Sequence, residues 1–95
     1  MLNPAELLVS AQERVTRAEG RAELAHARAA DALAQAEREK ARGRDGISLR
    51  HRREAELHKR AAVRHEKAAE IQRTHVEHLR EWRGTHRTRH LTTVH

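Results

Sequence analysis

Histidine and arginine are the residues of this chain best suited to chemistry. The 95 residues hold nine histidines, and His51, His58 and His65 recur every seven positions. Two histidines spaced i,i+3 or i,i+4 on a helix can meet one metal ion, and His75/His78 and His86/His90 have that spacing. Zinc wants a third and usually a fourth ligand. No His-Glu-x-x-His is present, and His26, which the helix register below brings near His65, adds only a pair. No metal or other cofactor is expected. Protonation is the other chemistry open to these rings. Burial disfavours the charged imidazole, so His58, His65 and His75 on a packed helix face would loosen it in acid. A His-based pH or metal sensor is therefore one reading. The plainer one is that the rings pack against alanine at the edge of a seam and keep one nitrogen wet.

Arginine gives a second constellation. Arg38, Lys40, Arg42, Arg44, Arg50, Arg52 and Arg53 surround Gly43-Arg44-Asp45-Gly46. Such a cluster at a narrow tip suits phosphates or an acidic protein surface, helped by free N–H groups at a helix start. Arg42, Arg44, Arg50, Arg52 and Arg53 are the expected contacts. No aromatic residue accompanies them, so bases would not be stacked upon, and nucleic-acid binding would be phosphate-dominated and poorly sequence-specific. Arg80, Arg83, Arg87 and Arg89, with His86 and His90, could order on a polyanion in the same way. Catalysis is not expected. There is no cysteine and no glycine-rich phosphate loop, Ser10 and Ser48 sit in no nucleophile motif, and a thin rod has no cavity from which to exclude water. A small-molecule substrate is not expected either.

The elements that must position these groups are helices. Ala55, Ala62, Ala69 and Val76 recur every seven residues, as do His51, His58, His65, Gln72 and Leu79. The alternating four-three spacing marks one seam along a long helix. A second heptad runs through Leu8, Val15, Ala22, Ala29 and Ala36, with Ala11, Ala18, Ala25 and Ala32 between them. Asn3-Pro4-Ala5-Glu6 reads as a capping box with proline at the first helical position. Gly20 should be tolerated at about 1 kcal/mol. The two glycines at 43 and 46 should end the first helix and reverse the chain, with Asp45 or Ser48 capping the second. Gly84-Thr85 should stop that helix, leaving a tail of little period.

The expectation is therefore a single all-α domain, a long antiparallel two-helix hairpin. Its parts are a helix over about 3–42, a turn at 43–46, a helix over about 47–84 and a basic tail at 85–95. The register places Leu8 near Trp82, Ala11 near Leu79 and Val15 near Val76. Leu8, Val15, Val76, Leu79 and Trp82 then form a small core at the open end. Leu24, Leu33, Leu57 and Ile71 form an apolar strip that a dimer, as a four-helix bundle, would cover.

Composition agrees with this. There is no Phe or Tyr, one Trp, and 37% apolar residues, many of them alanine. An alanine methyl contributes roughly 0.8 kcal/mol on burial, against roughly 1–2 kcal/mol of backbone entropy per residue. A partner or self-association is expected to make up the difference. The net charge of +6 sits in two blocks, seven basic against two acidic groups over 38–53 and four against one over 80–95. No run approaches the roughly 20 apolar residues of a membrane span. No signal-peptide pattern opens the chain, so a cytoplasmic location is the expectation.

The segment His58-Lys-Arg-Ala-Ala-Val-Arg-His-Glu-Lys-Ala-Ala-Glu-Ile71 resembles the repeating helical units of small Ala/His heptad proteins of actinobacteria and their phages. That resemblance implies helix and a high-GC bacterial or phage origin, and it implies no activity. Trp82-Arg83-Gly84 fits the Trp-x-Gly of the small helical hairpins exported by type VII secretion. There the motif lies in the turn, whereas here it ends the second helix, so that family is set aside. The function expected is a non-enzymatic helical interaction or assembly module. It would bind itself or a partner through an apolar helix face, with the basic tip on an acidic surface. The alternative is a DNA- or RNA-binding protein that uses the same tip.

Overall fold

A computed structural model describes the backbone of residues 3–93 and the side chains of residues 3–82. It has two helices, α1 over Pro4–Ala41 and α2 over Asp45–Thr93, folded as an antiparallel hairpin with extents of 80 × 16 × 16 Å. The fold is all-α, as the two heptad patterns require. Among the described residues no helix is long and apolar enough to cross a membrane.

The start of α1 is fixed locally. Asn3 is extended at φ −77° and ψ 167°, its side chain accepts the Glu6 N–H at 2.9 Å, and the Glu6 carboxylate accepts the Asn3 N–H at 3.2 Å. Two otherwise orphaned donors are satisfied reciprocally, and Pro4 supplies a preset φ where no donor is needed.

The reversal is tighter than the two glycines suggest. Gly43 alone is left-handed, at φ +76°. The Arg44 N–H reaches the Glu39 carbonyl at 2.8 Å and the Gly43 N–H reaches that of Lys40 at 3.0 Å, which is the paired bonding of a Schellman cap. The cap completes the turn within Arg42–Arg44, so α2 begins at Asp45, and Gly46 lies in its first turn. Neither Asp45 nor Ser48 is the N-cap. Asp45 is the first helical residue, where its charge favours the helix N-terminus, and the Ser48 N–H bonds the Arg44 carbonyl. The glycines should therefore respond oppositely to alanine. Gly43→Ala should cost about 1–2 kcal/mol because a Cβ opposes the left-handed conformation. Gly46→Ala, with open space around the added methyl, should stabilise by about 0.4–1 kcal/mol. Urea midpoints by circular dichroism check both signs.

At the other end α2 does not stop at Gly84 but continues to Thr93. One glycine costs only about 1 kcal/mol in a helix, and no proline follows to forbid the next turn. The side chains of 83 and 85–95, including the basic tail, His86 and His90, lie outside the described residues.

The core is a seam of small residues. Ala11, Ala18, Ala22, Ala25, Ala29, Ala32 and Ala36 of α1 are buried against Ala55, Ala62, Ala69 and Val76 of α2. The turn between Ala41 and Asp45 and the bond from the Ser48 hydroxyl to the Ala36 carbonyl set the register. Stepping seven residues along each helix from there gives two kinds of layer. In one, small residues face each other: Ala32 with Ala55, Ala25 with Ala62 and Ala18 with Ala69, and Ala11 with Val76 at the open end. In the other, a longer α2 residue is opposed: Ala29 by His58, Ala22 by His65, Val15 by Gln72 and Leu8 by Leu79. The expected Val15–Val76 and Ala11–Leu79 pairs are each displaced by one layer. Ser48, seven residues before Ala55, extends the α2 line. It is buried, and its hydroxyl donates to the Ala36 carbonyl at 2.8 Å, which ties the register at the tip.

Candidate interaction surface

The large apolar residues are outside. Leu24, Leu33, Leu57, Ile71 and Trp82 are 49, 37, 62, 67 and 46% exposed, whereas the buried apolar set among the described residues is ten alanines and Val76. Of the expected open-end core, Val76 is buried, Leu8, Val15 and Leu79 are half-buried, and Trp82 does not close it. The reason is angular. Seven residues beyond Val76 the seam returns at Arg83, so Trp82 stands about 100° away from that line, on the seam's flank.

A helical hairpin has two broad sides, and the side chains distinguish them. On one, ion pairs cross between the helices: Glu19 with Arg73 at 3.1 Å, His26 with Glu66, and Glu37 with Arg52 at 3.5 Å. Residues in seven-residue steps from these belong to the same side, which is here called the paired side. Leu33, seven after His26, is among them, and Val63 lies three before Glu66. His26 was expected to approach His65, but its partner is Glu66.

The opposite side is marked by a depression lined by Arg28, Asp31, Gln35, Glu54 and His58. Stepping down α1 from Arg28 gives Arg21 and Arg14, and from Asp31 gives Leu24 and Arg17. Stepping up α2 from Glu54 gives Ala61, Ala68, His75 and Trp82. Leu57 and Ile71, three beyond Glu54 and Ala68, edge this side. The expected strip of Leu24, Leu33, Leu57 and Ile71 is thus divided. Nine residues separate Leu24 from Leu33, which at 100° per residue is half a revolution, so Leu33 faces the other way.

Charge follows the same division. Among the described side chains, the helical positions of the second side hold Arg14, Arg17, Arg21, Arg28, Arg38, Arg50 and Arg64 against only Asp31 and Glu54. Among the described side chains, the paired side holds five cations against eight carboxylates. None of those seven arginines forms an ion pair among the described residues, whereas Arg52, Lys59 and Arg73 of the paired side do. We call the second side the arginine side. Its recognition from sequence required only one more wheel, drawn outward from the alanine seam.

The tip is partly neutralised. Arg42 and Arg44 both bond the Glu39 carboxylate, at 3.3 and 3.4 Å, and Arg52 is held by Glu37. Arg50 and Arg53 are exposed and make no ion pair among the described residues. The five arginines expected to act together therefore split between internal and external duties, although exposed pairs of this kind contribute only about 0–1 kcal/mol each.

Along the α2 seam His51, His58 and His65 are half-buried, whereas His75 is exposed, because it falls six residues after Ala69 and so on the flank. His51 and His58 both approach the Glu54 carboxylate, at 3.4 and 3.6 Å. Among the described residues no three of His, Cys, Asp and Glu gather as metal ligands. Gln72 is the seam's discordant member, since its side-chain oxygen is buried and meets no donor among the described residues. Comparison of the chain with known family models, characterised proteins and solved structures finds no match, so the reading of this surface rests on its own chemistry.

Proposed function

We propose that the chain is a non-enzymatic interaction module, a helical rod whose outer surface docks on other helices, of a second copy or of another protein. One observation carries this reading. The residues with the largest hydrophobic gain, Leu57 and Ile71 above all, are the most exposed, and the seam that holds the hairpin together does without them. Burying a leucine or isoleucine side chain contributes about 1.5–3 kcal/mol, and only a second surface can collect it here. The basic tip and the arginine side add attraction for an acidic partner. Nucleic-acid binding through the tip is the weaker reading, because three of the five tip arginines already hold carboxylates of α1.

Site-specific photo-crosslinking in cells tests the reading before any partner is identified. A benzophenone amino acid placed at 57 or 71 should yield a discrete adduct, at twice the chain mass for self-association or at another mass for a different protein. The same group at 33 or 63, on the paired side, should give none. Equal labelling from all four positions would contradict a specific docking face.

A further inference from the structure

We propose that the arginine side receives an acidic amphipathic helix of another protein, which completes a three-helix bundle with the hairpin. This rests on the docking reading above and names the face and the chemistry of the partner. The shared depression of Gln35 and Glu54 sets the rungs of this side. Stepping seven residues along both helices places Arg28 opposite Ala61 and Arg21 opposite Ala68. Each rung thus pairs a long cation on α1 with a methyl on α2, leaving a shallow channel floored by alanine and bordered by Leu24, Leu57 and Ile71. The three apolar residues are exposed and so are the arginines.

The repeat of this channel selects its occupant. Arg14, Arg21 and Arg28 stand seven residues apart, about 10.5 Å along the axis at 1.5 Å per residue. Carboxylates at one heptad position of a packed helix recur at that same interval, so a single alignment pairs all three. Leucines at the inner positions of such a helix would cover Leu57 and Ile71. A second copy of this chain on the same side would set arginine row against arginine row, and like charges at a contact are repulsive. A phosphate backbone would engage the arginines but leave Leu24, Leu57 and Ile71 against a polar surface. An anionic bilayer is planar, whereas the alanine floor is recessed between two helices.

The test uses the full chain and a fluorescent synthetic helix about four heptads long, with leucine at the two inner heptad positions and glutamate at the flanking ones. Its glutamate-to-lysine counterpart, a short DNA duplex, and vesicles of phosphatidylserine and phosphatidylcholine serve as competitors. The glutamate peptide should bind, the lysine peptide should not, and neither DNA nor vesicles should displace it at equal charge. The Arg14→Glu/Arg21→Glu/Arg28→Glu chain should lose roughly tenfold or more in affinity, about 1.4 kcal/mol or more. The matching Arg→Gln chain should lose less, and Lys59→Glu/Arg73→Glu/Arg80→Glu on the paired side should change little. Circular dichroism confirms the helicity of each. Equal losses from both charge-reversed faces, no binding of the glutamate peptide, or displacement by DNA or vesicles would overturn the proposal. If the adducts from positions 57 and 71 survive reversal of the arginine row, docking stands and the acidic partner falls.

Discussion

Ala62→Leu should destabilise the hairpin by about 1–3 kcal/mol, the range for overpacking a closed site. Ala62 has no exposed surface and faces Ala25, itself 6% exposed, in a layer made of two methyl groups. Three added heavy atoms have nowhere to go unless the helix axes move apart, and separation at this layer also opens the His58 and His65 layers on either side. The rigid-rod character transmits the strain, because close-packed interiors relax only in part. The loss is large for a chain of this size, whose total stability is a small difference of opposing terms. Thermal and urea unfolding followed by far-ultraviolet circular dichroism should show an earlier midpoint for Ala62→Leu and a smaller change for Leu substituted at an exposed alanine such as Ala27.

The same incoming residue ten positions later should act in the opposite direction. Gln72→Leu should stabilise by about 1–3 kcal/mol, the cost of leaving a buried polar atom without a partner. Gln72 faces Val15 in the kind of layer that accommodates a long α2 side chain, as the half-buried Leu79 against Leu8 shows. Its side-chain oxygen is buried and meets no donor among the described residues, and leucine fills a similar volume without that penalty. A glutamine at such a position acts against slippage, since a register shift moves its buried amide to a different layer. The stabilised variant should therefore also tolerate alternative pairings more readily, visible as a rise in higher-mass species by light scattering. Opposite signs for Leu at 62 and at 72 would establish the alternation of layers, and like signs would contradict it.

The heptads of alanine made the two helices and their seam legible, because burial in a long helix depends on the angle of each position and little else. The capping box at Asn3 was equally plain, being local. The positions flanking the seam are less legible. The four exposed apolar residues look like one strip in the sequence, whereas Leu24 and Leu33 stand half a revolution apart. The size of Trp82 points to a core, whereas its position six residues after Val76 puts it on the flank. Two glycines look alike in a sequence, and only Gly43 takes the left-handed conformation. Gly84 reads as a helix end, although a lone glycine seldom stops a helix. Ser48 was legible as the seam position before Ala55, but its small size and its neighbourhood of glycines suggested a cap.

The urea unfolding of dilute Leu57→Lys/Ile71→Lys chain, beside the unchanged chain, tests most directly the claim that the hairpin holds itself together by small residues and keeps its large ones for another surface. The account predicts full helicity and a stability within about 0.5 kcal/mol of the parent, as for substitutions at exposed sites, together with loss of the photo-adducts from neighbouring positions. A parent whose midpoint depends on its own concentration, with the variant losing that dependence, would make the other surface that of a copy. A variant hairpin that melts early at every concentration would contradict the account, because Leu57 and Ile71 would then belong to the chain's own fold.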